Sequence, residues 1–102
     1  MSNAKDFVVT EKEKKLLIES AELLKALSHP MRLCIVKSLC SNGACNVSNM
    51  QSRLKMPQST VSQHLSKLKA HGIIEGKRQG TEIVYRVIHP GARQIIDLLQ
   101  KL

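Results

Sequence analysis

The chain has 102 residues and carries 16 Lys and Arg against eight Asp and Glu, a formal net charge of +8. This length provides for one hydrophobic core, so residues 1–102 are expected to form a single domain. Trp is absent and Phe and Tyr occur once each, which predicts a thin aliphatic core and a further apolar face buried against a second copy. No apolar run approaches the length of a membrane-spanning helix, and the first fifteen residues are too polar for a signal peptide, so no membrane partner is expected.

The positive charge is concentrated in the second half of the chain. Residues 1–25 hold five Lys against five acids, whereas residues 53–93 hold eight Lys or Arg against only Glu75 and Glu82. Such an excess on one part of a small domain indicates an anionic partner, nucleic acid before membrane. The three cysteines are typical of reduced thiols in the cytoplasm rather than of a disulfide framework.

Two helices are predicted first. Residues 11–27 have the 3.6-residue period of an amphipathic helix, with one face formed by Leu17, Ala21, Leu24 and Leu27. The residues "SHP" end this helix, and Pro30 suits the first turn of the next one. The second helix is expected to reach about Cys40 and to bury a stripe of Met31, Ile35, Val36 and Leu39.

A pair of shorter helices follows. Asn46 can cap a third helix whose apolar side comprises Val47, Met50 and Leu54. The residues "KMPQ" form a turn into a fourth helix that ends at Gly72. Its apolar stripe is Val61, Leu65 and Leu68.

After Gly72 the hydrophobic period changes from that of a helix to that of a strand. The residues "IIEGKRQGTEIVYRVI" alternate apolar and polar side chains and are interrupted by Gly76 and Gly80. This pattern predicts an antiparallel hairpin over residues 73–87, with a flexible, basic tip that carries Lys77 and Arg78. Pro90 then opens a last helix over residues 90–102, whose apolar surface is wider than one small domain needs.

The element order predicts a mainly α fold with a small β-hairpin, an α+β winged helix-turn-helix in the order α1-α2-α3-α4-β-β-α5. The stretches "LLKALSHPMRLCIVKSL" and "PQSTVSQHLSKLKAHGIIEGKRQGTEIVYRV" resemble the ArsR/SmtB family of bacterial winged-helix repressors, over roughly residues 20–88. The resemblance implies a homodimer built on helices 11–27 and 90–102 that binds an imperfect palindrome in a promoter. It further implies a helix-turn-helix over 46–71, with recognition helix 58–71, and a wing over 73–87.

Short hydroxyl and amide side chains on the outside of the fourth helix can reach base edges or phosphates in the major groove of double-stranded DNA. The wing residues Lys77, Arg78 and Gln79 can contact the flanking backbone or the minor groove. The predicted DNA-binding residues are Gln58, Ser59, Thr60, Ser62, Gln63, His64, Ser66, Lys67, Lys77, Arg78 and Gln79. The predicted dimer-interface residues are Leu17, Leu24, Ile95, Ile96, Leu99 and Leu102.

The metal sites of the family cannot be transferred to this chain. Relatives that bind arsenic or cadmium carry a Cys-x-Cys pair where Asn46 and Ser48 stand here. Zinc-sensing relatives place Asp and His ligands along the last helix, which here holds Asp97 and no His, with His89 alone before it. These residues cannot complete a tetrahedral site, so no metal and no cofactor is expected.

Other roles and functions stay open at this stage. His64 is equally suited to DNA contact and to surface solvation, His29 to the start of a helix, and His71 to the C-terminus of one. No constellation typical of an enzyme occurs. The alternatives to a plain repressor are a redox- or thiol-responsive one switched through Cys40 and Cys45, and a winged-helix module that binds another protein.

Overall fold

The structure is a computed structural model that describes residues 9–102. Its elements, in chain order, are α1 (Glu11–Leu27), α2 (Pro30–Asn42), β1 (Cys45–Asn46), α3 (Val47–Leu54), α4 (Gln58–Ala70), β2 (Ile74–Gln79), β3 (Glu82–Val87) and α5 (Pro90–Gln100). The predicted fold class and element order are confirmed. The structure adds a short strand before α3, extends α2 two residues beyond Cys40, and ends α5 two residues before the end of the chain.

The helix starts are fixed by side chains that the sequence supplies locally. Thr10 and Glu13 form a reciprocal capping box at the start of α1. The imidazole Nδ1 of His29 accepts a hydrogen bond from the Met31 N–H at 3.0 Å, and His89 does the same for Gly91 at 3.0 Å. Both histidines precede a proline at the first helical position, where no N–H needs a partner.

The sheet has three antiparallel strands in the order β1-β3-β2. The two-residue turn between β2 and β3 contains Gly80 with a φ of +65°, a conformation that glycine adopts without strain. The prediction that Gly76 also interrupts the hairpin is wrong, because Gly76 lies inside β2 opposite Tyr85. A Cβ at Gly76 would come within 3.0 Å of the Tyr85 ring, so a strand glycine is required there by close packing.

The core lies where α2, α4 and the first residues of β2 meet. Its members are aliphatic, in agreement with the composition, and the most deeply buried large ones are Ile35, Leu39, Met50, Leu65, Leu68, Ile73 and Ile74. Among the described residues no buried polar side-chain atom lacks a hydrogen-bond partner, as in well-ordered native proteins. None of the helices described combines the length and the apolar character that crossing a membrane would require.

Helices α1 and α5 leave apolar side chains in contact with water. All residues from Val9 to Glu19 are exposed, so the first half of α1 has little support from the rest of the chain. The exposed large apolar side chains of the two helices are Leu16, Leu17, Ile18, Leu24, Leu98 and Leu99. These side chains and Leu102 beyond α5 make up the uncovered apolar surface of the two helices, and exposed apolar surface marks interaction sites in other proteins.

Candidate nucleic-acid interface

Helix α4 has a buried side and a polar side. Val61, Leu65 and Leu68 are between 0 and 2% exposed and fix the helix to the core. Ser59, Gln63, Ser66 and Lys67 are exposed and recur at the spacing of one helix face. A face of short polar side chains on a rigidly held helix can enter the major groove.

A second set of predicted residues lies at the margins of α4. Gln58 is exposed, but Thr60 and Ser62, expected on the outer surface, are half-buried. Ser62 and Gln58 line a groove of about 330 Å³ between α4, the start of α3 and the wing strand β3. These two side chains therefore face the wing, whereas Gln63 faces away from the body of the chain.

Asn46 joins α3 to the wing through both atoms of its amide. Its Oδ1 accepts a hydrogen bond from the Asn49 N–H at 2.7 Å and caps α3. Its Nδ2 donates to Glu82 Oε2 on β3 at 2.9 Å. The sequence predicted the cap but not the second bond, because its partners are 36 residues apart and no local pattern relates them.

The basic residues of the wing differ in their surroundings. Lys77, Arg78 and Gln79 are exposed, and they lie in β2 before the turn rather than at its tip. Glu75 pairs with Arg86 of β3 and lies 3.9 Å from the Lys77 ammonium group. Arg78 has no acidic partner within salt-bridge distance among residues 9–102, so its charge is less compensated than that of Lys77.

His64 is half-buried and turned toward the start of α2. Its ring lies 4.5 Å, centroid to centroid, from the ring of His29, at an interplanar angle of 48°. Burial lowers the pKa of His64 below its ordinary value, and the nearby positive groups of His29, Arg32 and Lys67 lower it further. The contact with His29 covers part of the His64 ring, and a contact of His64 with DNA stays a prediction.

Two other histidines have the structural roles predicted from the sequence. His29 caps α2, as described above. His71 follows α4, and its Nδ1 lies 2.9 Å from the carbonyl oxygen of Lys67 in the last turn. Its Nε2 lies 3.6 Å from Glu22 Oε2 on α1, a contact that the sequence did not predict.

The predicted dimer residues divide into three groups. Leu17, Leu24, Leu99 and Leu102 are 58, 55, 43 and 91% exposed and are free to meet a second copy. Ile95 is half-buried. Ile96 is only 4% exposed and packs in the core of its own chain, so it has almost no surface left for a partner.

The cysteines are free thiols in different environments. Cys45 is buried in the sheet opposite Tyr85, and Cys40 is partly buried against the core, near Arg93 and Asp97 of α5. Burial raises the pKa of the Cys40 thiol, against a lowering by Arg93, so Cys40 is less readily ionised and less reactive than an ordinary thiol. Within residues 9–102 no three His, Cys, Asp or Glu side chains are close enough to hold a metal ion.

Similarity to known proteins agrees with this geometry. Residues 29–76 match the sequence profile described as "Bacterial regulatory protein, arsR family". The chain is 45% identical to the transcriptional repressor PagR of Bacillus anthracis over 96 residues, which cover 94% of this chain and 96% of PagR.

Solved structures of related proteins have the same fold. The crystal structure of PagR superposes with a TM-score of 0.79 at 46% identity and covers 84% of this chain and 98% of that one. A homodimeric winged helix-turn-helix DNA-binding domain from Mycobacterium bovis, a possible ArsR-family regulator, superposes with a TM-score of 0.77 at 28% identity and covers 99% of this chain and 88% of that one. The chain belongs to the arsR family of bacterial regulatory proteins.

Proposed function

We propose that this protein is a homodimeric transcriptional repressor that binds an imperfect palindrome in promoter DNA. The observation that carries the proposal is the polar face of α4, Ser59, Gln63, Ser66 and Lys67, on a helix fixed to the core by a separate apolar stripe. Side chains of this kind hydrogen-bond to base edges, and Gln is suited to the N6 and N7 edge of adenine. The protein would act in the cytoplasm on nucleoid DNA, and no catalytic role is proposed.

The wing and the groove beside α4 supply the remaining contacts. Gln58 and Ser62 line the groove, the half-buried Thr60 lies on the other side of α4, and Lys77, Arg78 and Gln79 extend along β2. The wing side chains are suited to phosphate oxygens, which position a protein on the duplex without reading its sequence. His64 is left out of this set because its ring packs against His29.

The dimer would form through the uncovered apolar surface of α1 and α5. Leu17, Leu24, Leu99 and Leu102 contribute exposed side chains to it. A two-fold pairing of this surface would present two copies of α4 to two half-sites, as a palindromic operator requires. The M. bovis domain of the same fold is a homodimer, which supports a dimeric state for this protein.

Neither alternative function has comparable support. A switch through Cys40 and Cys45 would need an accessible, readily ionised thiol, whereas Cys45 is buried and the pKa of Cys40 is raised. A module that binds another protein through α4 would gain little from a face of small polar side chains, because interface cores are usually aromatic and apolar.

The test first selects operator DNA and then distinguishes contacts of α4 with bases from contacts with the phosphate backbone. Genomic fragments retained by the protein are footprinted, and affinities for the best fragment and for random DNA are compared. Gln63→Ala is expected to weaken operator binding by about 1–3 kcal/mol while random binding changes less. Equal weakening on both DNAs would show that α4 grips the backbone, and retention of no fragment would refute the repressor.

A further inference from the structure

Two histidines connect the recognition helix α4 to the region of helix α1. Near the middle of α4, His64 packs against His29, which lies in the turn between α1 and α2. At the end of α4, His71 lies 3.6 Å from Glu22 of α1. The apolar stripe holds α4 in the core, so these two contacts at its margin can adjust its angle without unfolding it.

The surroundings of the two imidazoles have opposite signs. His64 faces His29 and Arg32 from α2 and its first turn and Lys67 from α4, so every charged neighbour that acts on it is positive. His71 faces the carboxylate of Glu22 across the helix boundary. The space next to it is also lined by Glu19 of α1 and by His89 before α5.

We propose that His64 and His71 are positioning residues for the recognition helix, and that protonation loosens the His64 attachment while it tightens the His71 attachment. An imidazolium at position 64 would be partly buried among positive groups. At position 71 it would form an ion pair with Glu22. The proposal rests on the proposed function, because it concerns how α4 meets the operator.

The loosening at His64 outweighs the tightening at His71. The His71 and Glu22 side chains are 34 and 56% exposed, so water and salt screen their attraction. The half-buried His64 ring is packed against His29, and the charged groups that act on it are positive, so its protonation weakens this attachment. Selective operator binding should therefore decline as the pH falls below about 6.5, the ordinary pKa of histidine.

The experiment measures the ratio of operator affinity to random-DNA affinity at pH 8 and pH 5.5, using the fragment selected above. The ratio is used because protonated histidines also raise non-specific attraction to phosphate. For the wild-type dimer it is expected to fall by at least about fivefold, the low end of coupling between linked sites. His64→Gln removes the imidazole at this position and keeps the His71–Glu22 attachment, so its ratio is expected to be no lower at pH 5.5 than at pH 8.

Glu22→Gln is the matched variant with the opposite expected result. It removes the attraction for protonated His71 and leaves the acid-weakened His64 contact, so the ratio should fall more steeply than in the wild type. A purely structural role for both histidines would not produce opposite changes in the two pH profiles.

A third variant covers the case in which His64→Gln does not fold. His29→Asn keeps an acceptor at the N-cap, where Asn is favoured, but removes the neighbouring imidazole, and it should reduce the acid-induced fall in the ratio. A wild-type ratio independent of pH, or an unchanged fall in the folded variant, would overturn the proposal. Absence of operator binding already at pH 8 would instead refute the repressor function itself.

Discussion

Replacing Asn46 by Asp tests the two side-chain hydrogen bonds through which Asn46 connects the helix-turn-helix to the wing. Asp keeps a side-chain oxygen that can cap α3, but it replaces the amide that donates to Glu82 over 2.9 Å by a second carboxylate. Two like charges about 4 Å apart in water repel by about 1 kcal/mol, and the variant also lacks a hydrogen bond worth about 1 kcal/mol. Because the contact between Asn46 and Glu82 is exposed to solvent, we expect a total decrease of about 1–2 kcal/mol in the free energy of unfolding.

Urea unfolding at two salt concentrations separates the two contributions. At about 1 M salt the Debye length is about 3 Å, so the repulsive part should largely disappear, whereas at about 0.01 M it is retained. Asn46→Ser is the matched control, since it keeps a capping oxygen and removes the donor without adding charge, and its deficit should not depend on salt. Equal stability of the two variants at low salt would refute the reasoning.

Three further predictions concern the dimer, the wing and the pH dependence of stability. Leu24→Ala removes a 55% exposed leucine from each subunit and should weaken the dimer about thirtyfold in sedimentation equilibrium, whereas Ile83→Ala on the wing should not. Arg78→Ala should lower the slope of log affinity against log salt by about one unit for each phosphate that the variant no longer neutralises, and Lys77→Ala by less, because its charge is partly compensated. The pKa of His64 is lowered in the fold, so the contribution of neutral His64 to stability is complete above about pH 6.5 and declines as the pH falls. His64→Gln should remove this part of the acid-induced decrease in stability, measured by thermal unfolding.

The helices and their caps could be predicted because each depends on residues close together in the sequence. The stripe of Val61, Leu65 and Leu68 shows the helical period directly, and all three are buried. A His-Pro pair begins α2 at His29 and α5 at His89. A proline at the first helical position makes such a helix start recognisable in the sequence. Local physics determines these features, so a single sequence is sufficient.

Features that join distant parts of the chain could not be predicted. Strand β1 has two residues, too few for any alternation to be recognised, and it forms only because β3 offers a free edge. The contact of His64 with His29 and that of Asn46 with Glu82 join residues about 35 positions apart. The spacing of apolar residues in α5 also did not indicate that Ile96 is buried in the core of its own chain. Because α5 has apolar residues on two sides, its sequence does not show which side packs inward.

Charge and geometry make separable contributions to the proposed recognition. A net charge of +8 attracts the protein to any DNA, because counterion release does not depend on sequence. Discrimination therefore depends on where α4 presents Ser59 and Gln63 relative to the base edges, and a misplacement of a hydrogen-bonding group by a fraction of an ångström weakens it. In the proposed complex, Asn46 and His64 orient the wing and the helix through contacts within the protein. Substitutions there should consequently lower the ratio of operator to random affinity before they lower total DNA affinity, whereas removal of the Arg78 side chain should lower both affinities together.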